Sequence, residues 1–401
     1  MNLVWWELKK LLRRRMTKVL LAAGLVLAVV PPLSLGFANL GFGVEVTSPT
    51  WEARARSVQA TRDAAAWHGP LTAEALAAAQ ADCRATLAAG EAAHAPETFV
   101  QGDMLYFAAT VFTDAGLITW ENWPARMTAL DGDTLGSLYQ QWDALTARRI
   151  EAAPAAWQGT LQAMKDRVTV PFTYDWVDGH IYEIAQLGDI LFLLGLLVCA
   201  AVAPLFCAEV QTRVYTVSHC ARHGRARLAA AKLGAAMLFA CGAFLGLSGV
   251  FVGIQVLMFG ARGLSASIQI AEYSCLLPVT LGQAEGLLVL GGLVSCLAAV
   301  ALTAALSARF ESTFPVLLCL FGALVFLRAV VLSGVLGPAL APLVQTLPFL
   351  TLFTELTGNV MMELPGERAM PVFLYRMAVQ PVYLLVFLPL AWRWYVGRQV
   401  G

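Results

Sequence analysis

FCAEVQTRVYTVSHCARHGRARLAAAK, residues 206–232, holds five basic residues, Arg213, Arg222, Arg225, Arg227 and Lys232, and one acid, Glu209. Apolar runs long enough to cross a bilayer flank it, so the clustered cations predict a loop on the cytoplasmic side. A cytoplasmic loop of this kind offers a surface to a cytoplasmic partner. The chain around it is 401 residues long, 58% hydrophobic and only 13% charged, which excludes a soluble domain of ordinary composition.

A helix needs about 20 apolar residues to cross the hydrocarbon core. Six such runs are predicted, at residues 18–37, 188–208, 228–259, 276–307, 314–337 and 373–395. They are continuous and rich in Leu, Ala, Gly and Val without an alternating polar face, so they predict helices rather than a barrel. The expected fold is an all-α integral membrane protein. It comprises an interfacial helix over 1–17, a first span within 18–44, a large helical extracytoplasmic domain over 45–187 and a five-span domain over 188–401. That last part contains the connector 209–232 and an outer hairpin at 338–372.

Net charge is zero, yet the charges are sorted. With the N-terminus inside, the cytoplasmic pieces hold 14 Lys and Arg against three acids, whereas 45–187 holds nine basic residues against 18 acids. This is the positive-inside pattern, and it puts both termini in the cytoplasm.

The N-terminal segment sets Trp5, Trp6, Leu8, Leu11 and Leu12 against Lys9, Lys10, Arg13, Arg14 and Arg15, an amphipathic helix for the inner membrane surface. Cations before an apolar run, with small residues near 36–38, also fit a signal peptide. Residues 45–187 are Ala-rich and broken at Gly69-Pro70, Pro96, Pro124 and Asp131-Gly132-Asp133, which predicts a small helical domain with its own core. Its tryptophans, Trp51, Trp67, Trp120, Trp123, Trp142, Trp157 and Trp176, suit core and interface packing, with ligand stacking as the functional reading. In 338–372 the apolar run 340–353 is too short to cross twice, so a re-entrant or interfacial helical hairpin is expected.

Chemistry-bearing motifs are few. The chain lacks an H-E-x-x-H pair, a G-x-S-x-G elbow and a G-x-x-x-x-G-K-[ST] loop, so no catalytic site and no cofactor are expected in it. ATP-driven work would need an ATPase on another polypeptide. His219, Cys220 and His223 cluster, but Arg222 and Arg225 repel a divalent ion there and no fourth ligand is near, so no metal site is expected. Nucleic acid is not an expected partner, since topology accounts for the cations and no reader module accompanies them. Eight cysteines read mostly as packing residues; a Cys83–Cys275 bridge is the one pairing that topology allows. Glu285 and Arg328 fall inside predicted spans, where an ionisable side chain is costly unless paired or wet. A helix-to-helix ion pair between them, or a hydrogen bond to Gln283, competes with a place along a substrate path or subunit interface.

At the connector, Phe206, Glu209, Ser218, Gly224, Arg225 and Lys232 fall in the pattern F-x-x-E, Ser or Thr, G-R or S-R, then Lys seven residues on. With Pro171-Phe172-Thr173-Tyr174 and the stretch 176–181 leading into the second span, and with the plan of spans, the chain resembles the type-2 ABC exporter permeases over nearly its whole length. The pattern's Gly four residues after Glu209 is Arg213 here. The resemblance implies a permease in a bacterial plasma membrane, paired with a second permease chain as homodimer or heterodimer. Two cytoplasmic ATPase subunits would supply ATP and Mg and dock on the connector. Glu209, Arg213, Arg222, Arg225 and Lys232 would be the coupling residues, and the substrate an exported peptide, lipid-like molecule or drug. The alternative is a membrane receptor or scaffold whose outer domain binds a ligand.

Overall fold

The computed structural model describes residues 3–39, 67–88, 101–113, 122–212, 224–326, 329, 346–348, 356–364 and 368–398. Among them five helices are long and apolar enough to cross a membrane: Arg15–Leu33, Gly179–Gln211, Arg225–Phe259, Leu281–Arg309 and Val372–Val396. The chain is therefore mostly helical and membrane-spanning in character. Of the run predicted at 314–337, the described part is Thr313–Phe321, continued by a π-helical stretch at Gly322–Phe326.

The elements in chain order are α1 (Leu3–Arg13), α2 (Arg15–Asn39), β1 (Gly69–Pro70), α3 (Ala73–Ala88), α4 (Gly102–Phe112), α5 (Trp123–Thr128), α6 (Gly132–Gly136), α7 (Leu138–Ala152), α8 (Ala155–Lys165) and β2 (Thr173–Tyr174). They continue with α9 (Asp178–Val202), α10 (Cys207–Gln211), α11 (Gly224–Phe259), a 3-10 turn (Arg262–Ser265), α12 (Ile268–Ala271), α13 (Leu281–Arg309), α14 (Thr313–Phe321), β3 (Met361–Leu364), β4 (Arg368–Pro371) and α15 (Val372–Val396). The second long helix starts at Asp178 rather than at 188, because its first turns carry His180 and Glu183. These polar side chains hide a helical segment from a hydropathy reading, yet both are buried.

Helix α13 is the hub of the bundle and packs on α9, α11 and α15. A capping box fixes its start: the Thr280 hydroxyl accepts from the Gln283 N–H, and the Gln283 side chain accepts from the Thr280 N–H. That reciprocal pair satisfies two backbone donors that the first helical turn would leave open. Gly291, Gly292, Ser295, Ala298 and Ala299 are buried along α13, and such small residues let helix backbones approach where lipid supplies no hydrophobic drive. A Cβ on Gly292 would lie 2.8 Å from Phe244 and 3.2 Å from Leu191, so α9, α11 and α13 meet there.

The helical domain is closed at its base by the antiparallel pair β1–β2, with Gly69 opposite Tyr174 and Pro70 opposite Thr173. Phe172, fully buried beside β2, receives edge-on contacts from Phe107, Tyr139 and Trp142 at centroid distances of 5.2–5.7 Å. The Tyr139 hydroxyl donates to the Leu71 carbonyl and accepts from the Phe172 N–H. Aromatic burial thus sits at the point where the domain returns to the membrane helices.

Three loops carry the domain: Trp142 Nε1 donates to the Tyr273 carbonyl, the Ser267 N–H to the Thr173 carbonyl, and the Thr160 hydroxyl to the Ala369 carbonyl. The last of these lies in an antiparallel β-hairpin, β3–β4. Most of the apolar run 340–353, on which the expected helical hairpin rests, lies outside the described residues, whereas Met361–Leu364 and Arg368–Pro371 at the end of 338–372 are β-strands. Helix α8 covers both strands, which provides partners that an isolated strand pair would lack.

Cys83 and Cys275 are both free. Burial pushes the Cys83 thiol up to about 11 and the Cys275 thiol up to about 12. Native protein at neutral pH is expected to leave both unlabelled by a maleimide, whereas denatured protein labels both, as read by mass spectrometry of their peptides. Buried thiols in apolar surroundings are inert because the thiolate is the nucleophile.

Candidate functional site

Two of the five predicted coupling residues, Glu209 and Lys232, meet in a charged node at the end of the bundle where α1, α10, the start of α11 and the end of α15 come together. Lys232 is 2% exposed. Its ammonium lies 2.8 Å from Glu7 Oε2 and 2.8 Å from Glu209 Oε1. Lys10 approaches the other oxygen of Glu7 at 2.6 Å, and the Tyr395 hydroxyl donates to Glu209 Oε2 at 2.8 Å. Every carboxylate oxygen in the node therefore has a donor. Such saturation is what allows charges to leave water without a prohibitive cost.

Local sequence positions each member. On α1 the buried residues are Glu7 and Leu11, one turn apart on one face. Trp5 and Trp6 point outward, 51% and 45% exposed, with the Lys9 ammonium within 6 Å of both rings. That outer face suits a membrane interface. Helix α10 follows a turn whose amides at Phe206 and Cys207 both donate to the Ser307 hydroxyl of α13. The Phe206 ring lies 4.7 Å from that of Tyr395. Phe206 and Glu209, three residues apart, thus grip the same tyrosine by its ring and its hydroxyl.

The resemblance implied a coupling role for Lys232 at a partner surface; in the structure its ammonium pairs with two carboxylates of its own chain. Glu209 likewise pairs inward, with Lys232, and Arg14 lies within electrostatic reach. Burial alone would push Glu7 up, but the attraction of Lys232 and Lys10 outweighs it and holds the carboxyl below its ordinary value. Arg225 is half-buried and Arg227 exposed at the start of α11. Arg309, Arg393 and Arg398 line a groove of about 360 Å³ at the same end, where Arg398 lies 3.6 Å from Glu311. Arg213, Arg222, Ser218 and the His219, Cys220, His223 group lie outside the described residues, as does Arg328. Among the described residues no group of three or more His, Cys, Asp or Glu is placed to hold a metal.

Glu285 is 4% exposed on α13. Arg328, for which the sequence allows an ion pair with Glu285 or a hydrogen bond to Gln283, has no described position against which either can be placed. Sequence reasoning passed over Glu7, Tyr395, Glu183 and Arg376, all buried. The signal for Glu7 was a lone acid on the apolar side of a basic amphipathic helix. Glu183 gave none, since it read as part of the outer domain. At the domain end, Thr146, Arg149, Trp157, Leu161, Leu276 and Asn359 line a cavity of about 200 Å³ between the domain and the loops beneath it.

No protein-family model, curated protein or solved structure matches this chain. The functional reading rests on the residues themselves.

Proposed function

We propose that the chain is the membrane-spanning permease subunit of an ATP-driven exporter, the type-2 ABC permeases being the family it resembles. In this reading six spans cross the cell membrane of a bacterium, both termini and the connector face the cytoplasm, and the helical domain lies outside. Two ATPase subunits carrying ATP and Mg dock at the connector end, and a second permease chain completes the path for an amphipathic or hydrophobic substrate.

The observation that carries the reading is the Glu7–Lys232–Glu209–Tyr395 node. It joins the interfacial helix, the connector and the ends of two long helices through short, buried, charge-assisted contacts. A push on the connector is thereby delivered to α1, α11 and α15 together, as an engine mounted on another polypeptide requires. The cations around the node, Arg225, Arg227, Arg309, Arg393 and Arg398, support the cytoplasmic assignment of that end and offer an acidic partner surface its complement.

The test is purification from the native membrane followed by identification of associated proteins and measurement of ATP hydrolysis in lipid. Association with an ATPase chain, weakened at least tenfold by a combined R225E/R227E substitution that leaves the helical content intact, is the expected result. A chain that purifies without an ATPase and responds to a ligand of its outer domain would establish the receptor reading instead.

A further inference from the structure

Two buried carboxylates pair with no cation among the described residues. Glu183 on α9 is 1% exposed and Glu285 on α13 is 4% exposed. Neither oxygen of Glu183 has a hydrogen-bond partner, and Glu285 Oε1 has none. Glu183 lies within electrostatic reach of Glu285. Helix geometry says the same: Gly292, Leu191 and Phe244 touch, and two turns, about seven residues, toward the domain end bring Glu285, Ile184 beside Glu183, and Phe251 to one level.

The neighbouring polar groups bring no charge. Gly260 carbonyl, 3.0 Å from His180 Nε2, can only accept, so that nitrogen carries the proton. His180 Nδ1 then accepts from Gln255 Nε2 at 3.0 Å, and the buried Gln255 Oε1 is left without a donor. Trp176 Nε1 is an unpartnered donor in the same region. Of the charged groups at this end, Arg262 is exposed and pairs with Asp175, and Arg376 on α15 is engaged in interactions of its own. Glu285 has Glu183 as its charged neighbour. On α11 the polar group facing this layer is neutral Gln255, and on α2 the side chains described beyond Lys18 are uncharged.

Two ions of like sign cannot share an apolar layer without something positive between them. The unpartnered oxygens expose less than 1 Å² each, so the packed bundle closes them off from bulk water. We propose that Glu183 and Glu285 form a proton-binding site within the membrane helices, which holds protons in the closed bundle and releases them when the helices part enough to admit water. The site does not depend on the chain's being an exporter subunit.

The experiment treats the wild-type full chain in lipid with a hydrophobic carbodiimide, which reacts with protonated carboxyls, and maps the adducts by mass spectrometry. Modification of Glu183 or Glu285 at neutral pH, falling at least tenfold on alkalinisation, is expected. No adduct at either residue at any pH, or protection by sodium or potassium at fixed pH, overturns the proposal, the latter in favour of a metal cation. As a second readout, E183Q and E285Q carry the neutral shape permanently. Both are expected to fold, and the double variant to lose the fall in Tm that the wild type shows as pH rises; an unchanged fall in the double variant also overturns it.

Discussion

A Lys232→Met variant is expected to lose about 3–5 kcal/mol of stability, the cost typical of removing one partner from a buried charge cluster. Methionine matches the length of the lysine stem, so packing is nearly conserved and the loss isolates the ammonium. What remains is Glu7 and Glu209, both stripped of their shared cation, at a site where Lys232 is 2% exposed. Denaturant unfolding in lipid or detergent, followed by far-UV circular dichroism, measures the effect. Adding E7Q and E209Q to the same variant is expected to recover much of the loss, because a neutral trio has no uncompensated charge. Failure of that recovery would mean that the lysine acts through packing instead. The wild-type node also carries a pH signature. Glu7 is held below its ordinary value of about 4.5, so its contribution is present above that value and is lost as pH falls through the folded-state value. Acid should therefore loosen α1 from the bundle before the apolar helices separate.

Phe172→Ala is expected to destabilise the helical domain by about 3–5 kcal/mol, the range for emptying a buried aromatic site. The ring is fully buried and meets three aromatic neighbours edge-on, so the cavity would open where the domain joins the membrane helices. Hydrogen exchange at the Leu71 amide, which donates to the Phe172 carbonyl at 2.7 Å, reads this locally. Its protection should fall sharply, while amides in the middle of α13 keep theirs. Equal loss in both places would show that domain and bundle unfold as one unit. Phe172→Leu should retain part of the stability, since it leaves a smaller void.

Both expected effects come from residues whose importance was unequally visible in the chain. Phe172 stood in a motif singled out at the entrance to the second span, and its hydrophobicity alone marked it for burial. Lys232 was also singled out, but for the wrong surroundings: a cation at the end of an amphipathic connector reads as a surface group. Its burial depends on Glu7, 225 positions away, and no local pattern carries that pairing. Glu183 was missed for a related reason. Polar residues lower a hydropathy window, so the helix looked shorter than it is and the acid was assigned to the outer domain.

By itself the sequence determined the membrane character, the long apolar helices, the amphipathic N-terminus and the helical nature of the described part of the segment between the first two long helices. Those properties follow from composition and periodicity summed over neighbouring residues. Tertiary structure alone decided which side chains come together: Lys232 pairs with Glu7 and Glu209 at one end of the bundle, and Glu183 comes within electrostatic reach of Glu285 at the other. A charge's partner is set by which helix faces pack together, and small residues such as Gly292 govern that packing by allowing close approach. The ends of these helices, not their apolar lengths, carry the chemistry.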